Sequence, residues 1–100
     1  MKIHNYINGN IISYSKKYLP VFDPSKGEEI GKVVLSNDKD FAEVLSSSKK
    51  AQIEWAKTTP LKRSRILSNY KNILEKNIDE LAKIISLEHG KTIEDAKGSL

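Results

Sequence analysis

The chain has 100 residues, no cysteine, and a net charge of +4 from 17 basic and 13 acidic side chains. This length allows one small domain with a modest core. The lack of cysteine excludes disulfides, thiolate metal sites and a cysteine nucleophile within the chain. The basic residues are spread along the sequence in runs no longer than pairs. The sequence contains no basic stripe with interleaved aromatic residues, which is the pattern that would indicate nucleic-acid binding.

The absence of apolar segments predicts where in the cell the protein resides. Residues Met1 to Tyr6 contain no apolar segment of the kind found in secretory signals. No apolar run approaches the roughly 20 residues needed to cross a bilayer. We therefore predict a cytoplasmic protein that does not interact with membranes.

Extended structure is predicted for residues 1–35, which we call the β-hairpin region. Asn8-Gly9-Asn10 predicts a tight turn, because Asn-Gly tolerates the positive φ angles of a hairpin. Pro24 and Gly27 predict a second turn over residues 23–27. The predicted strands are Ile3–Ile7, Ile11–Tyr14, Tyr18–Phe22 and Glu28–Leu35.

The hydrophobic period changes at Asn37, and residues 37–100 form the predicted helical region. Asn37 caps a first helix that runs to about Lys57, with Asp40 in the first turn, where the helix dipole favours negative charge. Its predicted apolar side comprises Phe41, Val44, Leu45, Ser48, Ala51, Gln52 and Trp55, with Trp55 expected in the core.

Two further helices follow. Thr59-Pro60 predicts a helix start, because proline at the first helical position loses no needed hydrogen bond. Asn77 predicts a break, and Gly90 predicts the end of the third helix. The apolar residues of these two helices are Leu61, Ile66, Leu67, Tyr70, Ile73, Leu74, Ile78, Leu81, Ala82, Ile85 and Leu87.

A fourth helix is predicted to begin after Thr92. Thr92 to Asp95 resembles a capping box with aspartate in the usual glutamate position. So short a helix at a free terminus is unstable without tertiary packing. We therefore expect that the sequence is part of a longer protein and holds no complete domain.

Gly90-Lys91-Thr92 is the one stretch that resembles a nucleotide-binding motif. A phosphate loop also needs a glycine at the position of Ile85, and it follows a strand rather than a helix. A helix end followed by a new cap explains these residues better. The five glycines also contain no G-x-G-x-x-G dinucleotide fingerprint.

The remaining polar candidates have structural explanations. His4 and His89 lack partners at metal-ligand spacing. Glu94-Asp95 suits the first turn of a helix. Lys62-Arg63-Arg65 could contact phosphate, although a solvated helix face is the favoured interpretation. We predict no catalytic, cofactor-binding or metal-binding residue in this chain.

Five stretches in order resemble the amino-terminal region of aldehyde dehydrogenases, most closely the CoA-acylating methylmalonate-semialdehyde dehydrogenases. The resemblance covers nearly the whole chain but only the first part of such an enzyme. Its most specific element is Glu-His-Gly-Lys-Thr at 88–92, with Gly98 after it. The stretches are Asn5–Gly9, Val21–Glu28, Ala51–Trp55, Thr59–Leu67 and Leu87–Gly98.

The resemblance implies an α/β fold in which this chain is part of the NAD-binding domain. It also implies a homo-oligomeric enzyme that oxidises a small aldehyde. In this family a cysteine thiolate attacks the aldehyde, hydride passes to NAD, and the thioester is released to coenzyme A. The nucleophile, the general base and the main NAD loops would lie after Leu100. Two departures are the missing cysteine and Ser46-Ser47-Ser48, which replaces an alanine-rich segment.

A second hypothesis is a stand-alone small α+β interaction module without enzymatic activity. Such a module would bind a partner through an exposed helix face. It predicts a cooperative thermal transition for the isolated 100 residues.

Overall fold

A computed structural model describes all residues, 1–100, as five short strands followed by four helices. This order agrees with the predicted α/β fragment. The strands are β1 (Lys2–Ile3), β2 (Tyr6–Ile7), β3 (Asn10–Ile11), β4 (Tyr18–Asp23) and β5 (Glu28–Val34), and the helices are α1 (Asp38–Lys57), α2 (Pro60–Lys76), α3 (Ile78–His89) and α4 (Ile93–Gly98).

The residues divide into two compact units. The first unit contains residues 1–21 and 29–58, and therefore holds β1 to β3, most of β4 and β5, and α1. The second contains residues 22–28 and 59–100, and therefore holds the turn between β4 and β5 together with α2, α3 and α4.

The predicted hairpin of the first unit is formed by β2 and β3. These strands pair antiparallel, with Tyr6 opposite Ile11 and Ile7 opposite Asn10. Asn8 and Gly9 have φ angles of 51° and 76°, as the Asn-Gly turn requires. The hairpin places Ile7 among the few buried apolar residues.

The prediction of one continuous strand over Ile3–Ile7 is wrong. Residues Lys2 and Ile3 form the separate strand β1, which pairs parallel with β5 in a sheet of order β1-β5-β4. The chain changes partners at Asn5, whose amide donates to Ser13 Oγ at 3.1 Å and whose carbonyl accepts from the Ile12 amide at 2.9 Å. Side-chain alternation indicates extended backbone but does not identify the partner strand.

Helix α1 begins and ends where the sequence predicts. Asn37 accepts a bond from the Asp40 amide, and the Asp40 carboxylate accepts one from the Asn37 amide, so both bonds of a capping box are formed. The apolar side of α1 stays open: Phe41 is 67% exposed and Trp55 is 39% exposed. The expectation that Trp55 belongs to the core is therefore wrong for this chain, because its unit covers the indole only in part.

Helix α2 of the second unit also has the predicted start. The Thr59 hydroxyl accepts from the Lys62 amide at 3.3 Å, and Pro60 occupies the first helical turn. The helix ends at Asn77, as predicted. No residue of α2 is buried, and most of its apolar side chains are more than half exposed.

Helices α3 and α4 pack against each other. Ala82 of α3 and Ala96 of α4 are fully buried, and Lys97 forms an ion pair of 2.8 Å with Asp79. The Thr92 hydroxyl accepts from the Asp95 amide at 3.2 Å, but the reciprocal bond of the predicted capping box is not formed. This packing explains how a six-residue helix is held in place. None of the four helices combines the length and apolarity that a membrane span requires.

Candidate functional site

Two of the stretches that carry the resemblance meet in the second unit. The turn over residues 23–27 lies against the end of α3, where a Cβ atom on Gly90 would stand 3.0 Å from Pro24 Cγ. Gly90 has a φ of 78°, which ends α3 as predicted. Around this junction lies an open pocket of about 390 Å³, lined by Asp23, Ser25, Lys83, Ser86, Leu87, Gly90, Lys91 and Ile93.

The Asp23 carboxylate, which lines this pocket, forms its hydrogen bonds within the turn over residues 23–27. Asp23 Oδ1 accepts hydrogen bonds from the Ser25 amide at 2.9 Å and from Ser25 Oγ at 2.6 Å. The Ser25 hydroxyl, followed by the Ser25 amide, lowers the pKa of Asp23, although burial acts in the opposite direction. Asp23 thereby stabilises the turn over residues 23–27 through its two bonds to Ser25.

The lysine of Gly90-Lys91-Thr92 is bound within the chain. Lys91 Nζ lies 2.8 Å from Ser99 Oγ, and the Lys91 carbonyl accepts a bond of 2.7 Å from Ser86 Oγ. These bonds connect the end of α3 with the end of α4. The interpretation of this stretch as a helix end and a new cap is confirmed by Gly90 and Thr92.

The first unit contains a buried carboxylate that connects distant segments. Asp40 is 1% exposed and accepts three backbone amides: Tyr14 at 2.7 Å, Ser15 at 3.1 Å and Asn37 at 3.0 Å. The Asn37 amide, followed by that of Tyr14, lowers the pKa of Asp40 against the opposing effect of burial. The sequence indicated the helix cap but not the bonds to Tyr14 and Ser15, since partners 26 and 25 residues away leave no local pattern.

The other candidate residues are dispersed. The His4 ring packs edge-to-face on Tyr18 with 5.8 Å between centroids, and His89 lies exposed at the end of α3. Glu94 and Asp95 are exposed in the first turn of α4. No group of three or more histidine, cysteine, aspartate or glutamate side chains could hold a metal ion.

The glycines of this chain do not form the glycine-rich turn of a dinucleotide-binding fingerprint. In that fingerprint the glycine-rich turn leaves a strand and opens a helix. Gly90 instead follows α3, and Gly27 connects β4 with β5. We therefore assign no step through NAD to these residues.

Sequence comparison identifies relatives of this chain. The profile of the aldehyde dehydrogenase family matches residues 11–100. The malonate-semialdehyde dehydrogenase of Pseudomonas aeruginosa is 40% identical over 98 residues, which are 98% of this chain and 20% of that protein. A Dictyostelium discoideum mitochondrial protein, a probable acylating methylmalonate-semialdehyde/malonate-semialdehyde dehydrogenase, is 40% identical over 96 residues, or 95% of this chain and 18% of its own.

Solved structures have the same fold over this region. A Sinorhizobium meliloti protein assigned as a methylmalonate-semialdehyde dehydrogenase, complexed with NAD, matches with a TM-score of 0.95 and 39% identity, covering 98% of this chain and 20% of that one. A 3,6-anhydro-L-galactose dehydrogenase matches with a TM-score of 0.92 and 27% identity over 98% of this chain and 21% of that one. The chain thus spans about a fifth of the length of its relatives.

Proposed function

Since this chain belongs to the aldehyde dehydrogenase family, we propose that it is the amino-terminal part of an NAD-dependent enzyme that oxidises malonate or methylmalonate semialdehyde. The complete enzyme forms an acyl-CoA through a cysteine thioester, with NAD as oxidant and coenzyme A as acyl acceptor. The observation that carries the proposal is the identity of 40% with a malonate-semialdehyde dehydrogenase along 98% of this chain.

The role of this chain in that enzyme is structural. It has no cysteine to form the thioester, and its histidines are dispersed. Its most buried carboxylate, Asp40, is occupied by three backbone amides. We assign the nucleophile, the general base and the NAD contacts to the rest of the subunit, and expect the isolated 100 residues to be inactive.

Two of the stretches that carry the resemblance support the proposal through their placement. The turn over residues 23–27 and the stretch 88–92 are far apart in sequence, yet they approach so closely that a Cβ on Gly90 would stand 3.0 Å from Pro24 Cγ. A Cβ at position 90 would crowd Pro24, so glycine is required there both by its φ of 78° and by this contact. We propose that this junction forms part of the scaffold of the NAD-binding domain.

The test is a fusion of this chain to the remaining four-fifths of the Pseudomonas aeruginosa relative, called here the fusion. We expect NADH formation with malonate semialdehyde, NAD and coenzyme A, and an acyl-CoA product detected by mass spectrometry. The matched control is the same fusion with the nucleophilic cysteine of the relative changed to alanine. A folded fusion without turnover would overturn the proposal that this chain supplies the amino-terminal part of such an enzyme.

Oligomeric state and location belong to the same proposal. We propose that the complete enzyme is a homo-oligomer in the cytoplasm. Sedimentation of the fusion tests the first statement, since a monomer at every concentration would contradict it. Fractionation of the source cells tests the second, and recovery of the protein with an organelle or a membrane would contradict it.

A further inference from the structure

The turn between β2 and β3 contains the one asparagine of the chain that is followed by glycine. Every other asparagine precedes an aspartate, a tyrosine or an isoleucine. Glycine matters at this position because no Cβ shields the backbone nitrogen that lies next to the asparagine side chain. Asn8 and Gly9 are both exposed, so solvent reaches this nitrogen and the side-chain amide.

The Asn8 side chain is also free of hydrogen bonds, and the Gly9 amide has no acceptor in the chain. Only the Asn8 carbonyl is engaged, as the acceptor of a bond of 3.0 Å from Asn10 Nδ2. Four of the other asparagine side chains have hydrogen-bond partners: Asn5, Asn10, Asn37 and Asn77. The two that remain lie inside α2, where the helix fixes the backbone.

We propose that Asn8 is a site of spontaneous deamidation and that opening of the hairpin of β2 and β3 controls its rate. The Gly9 backbone nitrogen attacks Asn8 Cγ and forms a new C–N bond. The bond from Cγ to the side-chain nitrogen breaks, and ammonia leaves with the Gly9 amide proton. One water molecule then opens the succinimide ring at either carbonyl, which gives aspartate or isoaspartate. The oxidation state of every atom is unchanged.

The folded turn opposes the first of these steps. Asn8 has a φ of 51°, in the left-handed region, where Cβ lies close to the carbonyl oxygen of its own residue. The nitrogen of the next residue is on the opposite side of that carbonyl carbon, so the Gly9 nitrogen points away from Asn8 Cγ. Ring closure requires this nitrogen and Cβ on the same side. Asn8 must therefore leave the turn conformation before it can react.

The hairpin is held closed by contacts on both sides of the turn. Ile7 is 7% exposed, so opening exposes an apolar side chain. The Ile12 amide donates to the Asn5 carbonyl at 2.9 Å, and the Asn5 amide donates to Ser13 Oγ at 3.1 Å. Loss of any of these contacts raises the population of the open hairpin, and with it the rate of deamidation.

The reaction has structural consequences for the hairpin. Either product adds one negative charge, which lowers the net charge from +4 to +3. Isoaspartate also adds a methylene group to the main chain, within the turn that sets the pairing of Ile7 with Asn10. A lengthened turn cannot keep this register. We therefore expect faster amide exchange across β2 and β3 once isoaspartate has formed.

Peptide mass spectrometry of the fusion at mildly alkaline pH tests the chemistry of the site. Asn10 is the matched control in the same turn, because it is also exposed but precedes Ile11. In guanidinium chloride, where the turn is absent, we expect deamidation at Asn8 to be at least ~10-fold faster than at Asn10. Enzymatic methylation identifies the isoaspartate. Equal rates at the two positions would overturn the proposal.

The same measurement in the folded fusion tests the control by the hairpin. We expect Asn8 to react at least ~10-fold more slowly than in guanidinium chloride, and equal rates would overturn this part of the proposal. Ser13→Ala removes the acceptor of the Asn5 amide and should accelerate the reaction roughly 2- to 10-fold. Ser46→Ala, at an exposed position of α1, is its control and should leave the rate unchanged. Equal rates in these two variants would also contradict control by the hairpin.

This inference does not rest on the proposed function, and no step of its test requires turnover. A fusion that forms no NADH but deamidates at Asn8 as described would retain the inference and reject the activity. A fusion that forms NADH while Asn8 reacts equally fast in the folded and the denatured protein would retain the activity and reject the control by the hairpin.

Discussion

Replacing Gly90 by alanine tests the junction between the turn over residues 23–27 and the end of α3. Gly90 has a φ of 78°, and an added Cβ would lie 3.0 Å from Pro24 Cγ. The left-handed conformation costs an alanine about 1–2 kcal/mol. The crowding adds about 1 kcal/mol, at the lower end of the cost of overpacking, because the proline sits on a surface turn. Gly90→Ala should therefore lower the free energy of unfolding by about 2–3 kcal/mol.

Two other glycines of the same unit separate these contributions. Gly27 has a φ of 71° but no atom within 4 Å of the added Cβ, so Gly27→Ala should cost only the conformational part, about 1–2 kcal/mol. Gly98 ends α4 with neither a positive φ nor a nearby atom. Gly98→Ala should be neutral or stabilise the chain by up to about 1 kcal/mol.

The assay is urea denaturation of the fusion, with the same dependence of the unfolding free energy on urea for each variant, together with amide exchange in α3 and α4. The expected order of stability is Gly98→Ala, then Gly27→Ala, then Gly90→Ala. Equal losses for Gly27→Ala and Gly90→Ala would show that the contact with Pro24 contributes nothing. A loss for Gly98→Ala as large as that for Gly90→Ala would refute the reasoning as a whole.

Further predictions concern the buried carboxylate and helix α2. Asp40→Asn places an amide group among backbone donors, so amide exchange at residues 14–15 should accelerate. The control Asp38→Asn, at an exposed position, should leave that exchange unchanged. Equal effects of the two substitutions would contradict the role of the Asp40 carboxylate. Backbone hydrogen bonds lower the pKa of Asp40 in the folded state. The ionised carboxylate therefore stabilises the folded chain at pH values above 3.8, the ordinary pKa of aspartate, and this stabilisation is lost as the pH falls through the lower folded pKa. Measuring amide exchange at residues 14–15 as the pH is lowered checks this expectation. Loss of protection already near neutral pH would refute it. In the fusion, Leu67→Asp should reduce stability by roughly 3 kcal/mol or more and Asn72→Asp by a few tenths at most, which thermal unfolding measures; similar effects would indicate that Leu67 remains in water.

The helix boundaries were predictable because their causes are local. Asn37 with Asp40, Thr59 with Pro60, and Gly90 each act within one helical turn of the boundary that they define. The hairpin turn at Asn8-Gly9 is local in the same sense. A single sequence contains this information in short segments.

The features that were missed depend on distant residues. The pairing of β1 with β5 joins Lys2 to Lys32, and no local pattern specifies that partner. The bond from the Tyr14 amide to Asp40 spans 26 residues. The exposure of Trp55 depends on which protein lies beside α1, whereas helical periodicity reports only that this side is apolar.

The central claim is that this chain supplies scaffold to an aldehyde dehydrogenase but none of its reactive groups. NADH formation from malonate semialdehyde, measured side by side for the isolated chain and the fusion, tests it most directly. We predict no turnover for the isolated chain, and for the fusion turnover that disappears when the cysteine of the relative becomes alanine. Turnover by the isolated chain, or by a fusion without that cysteine, would contradict the claim.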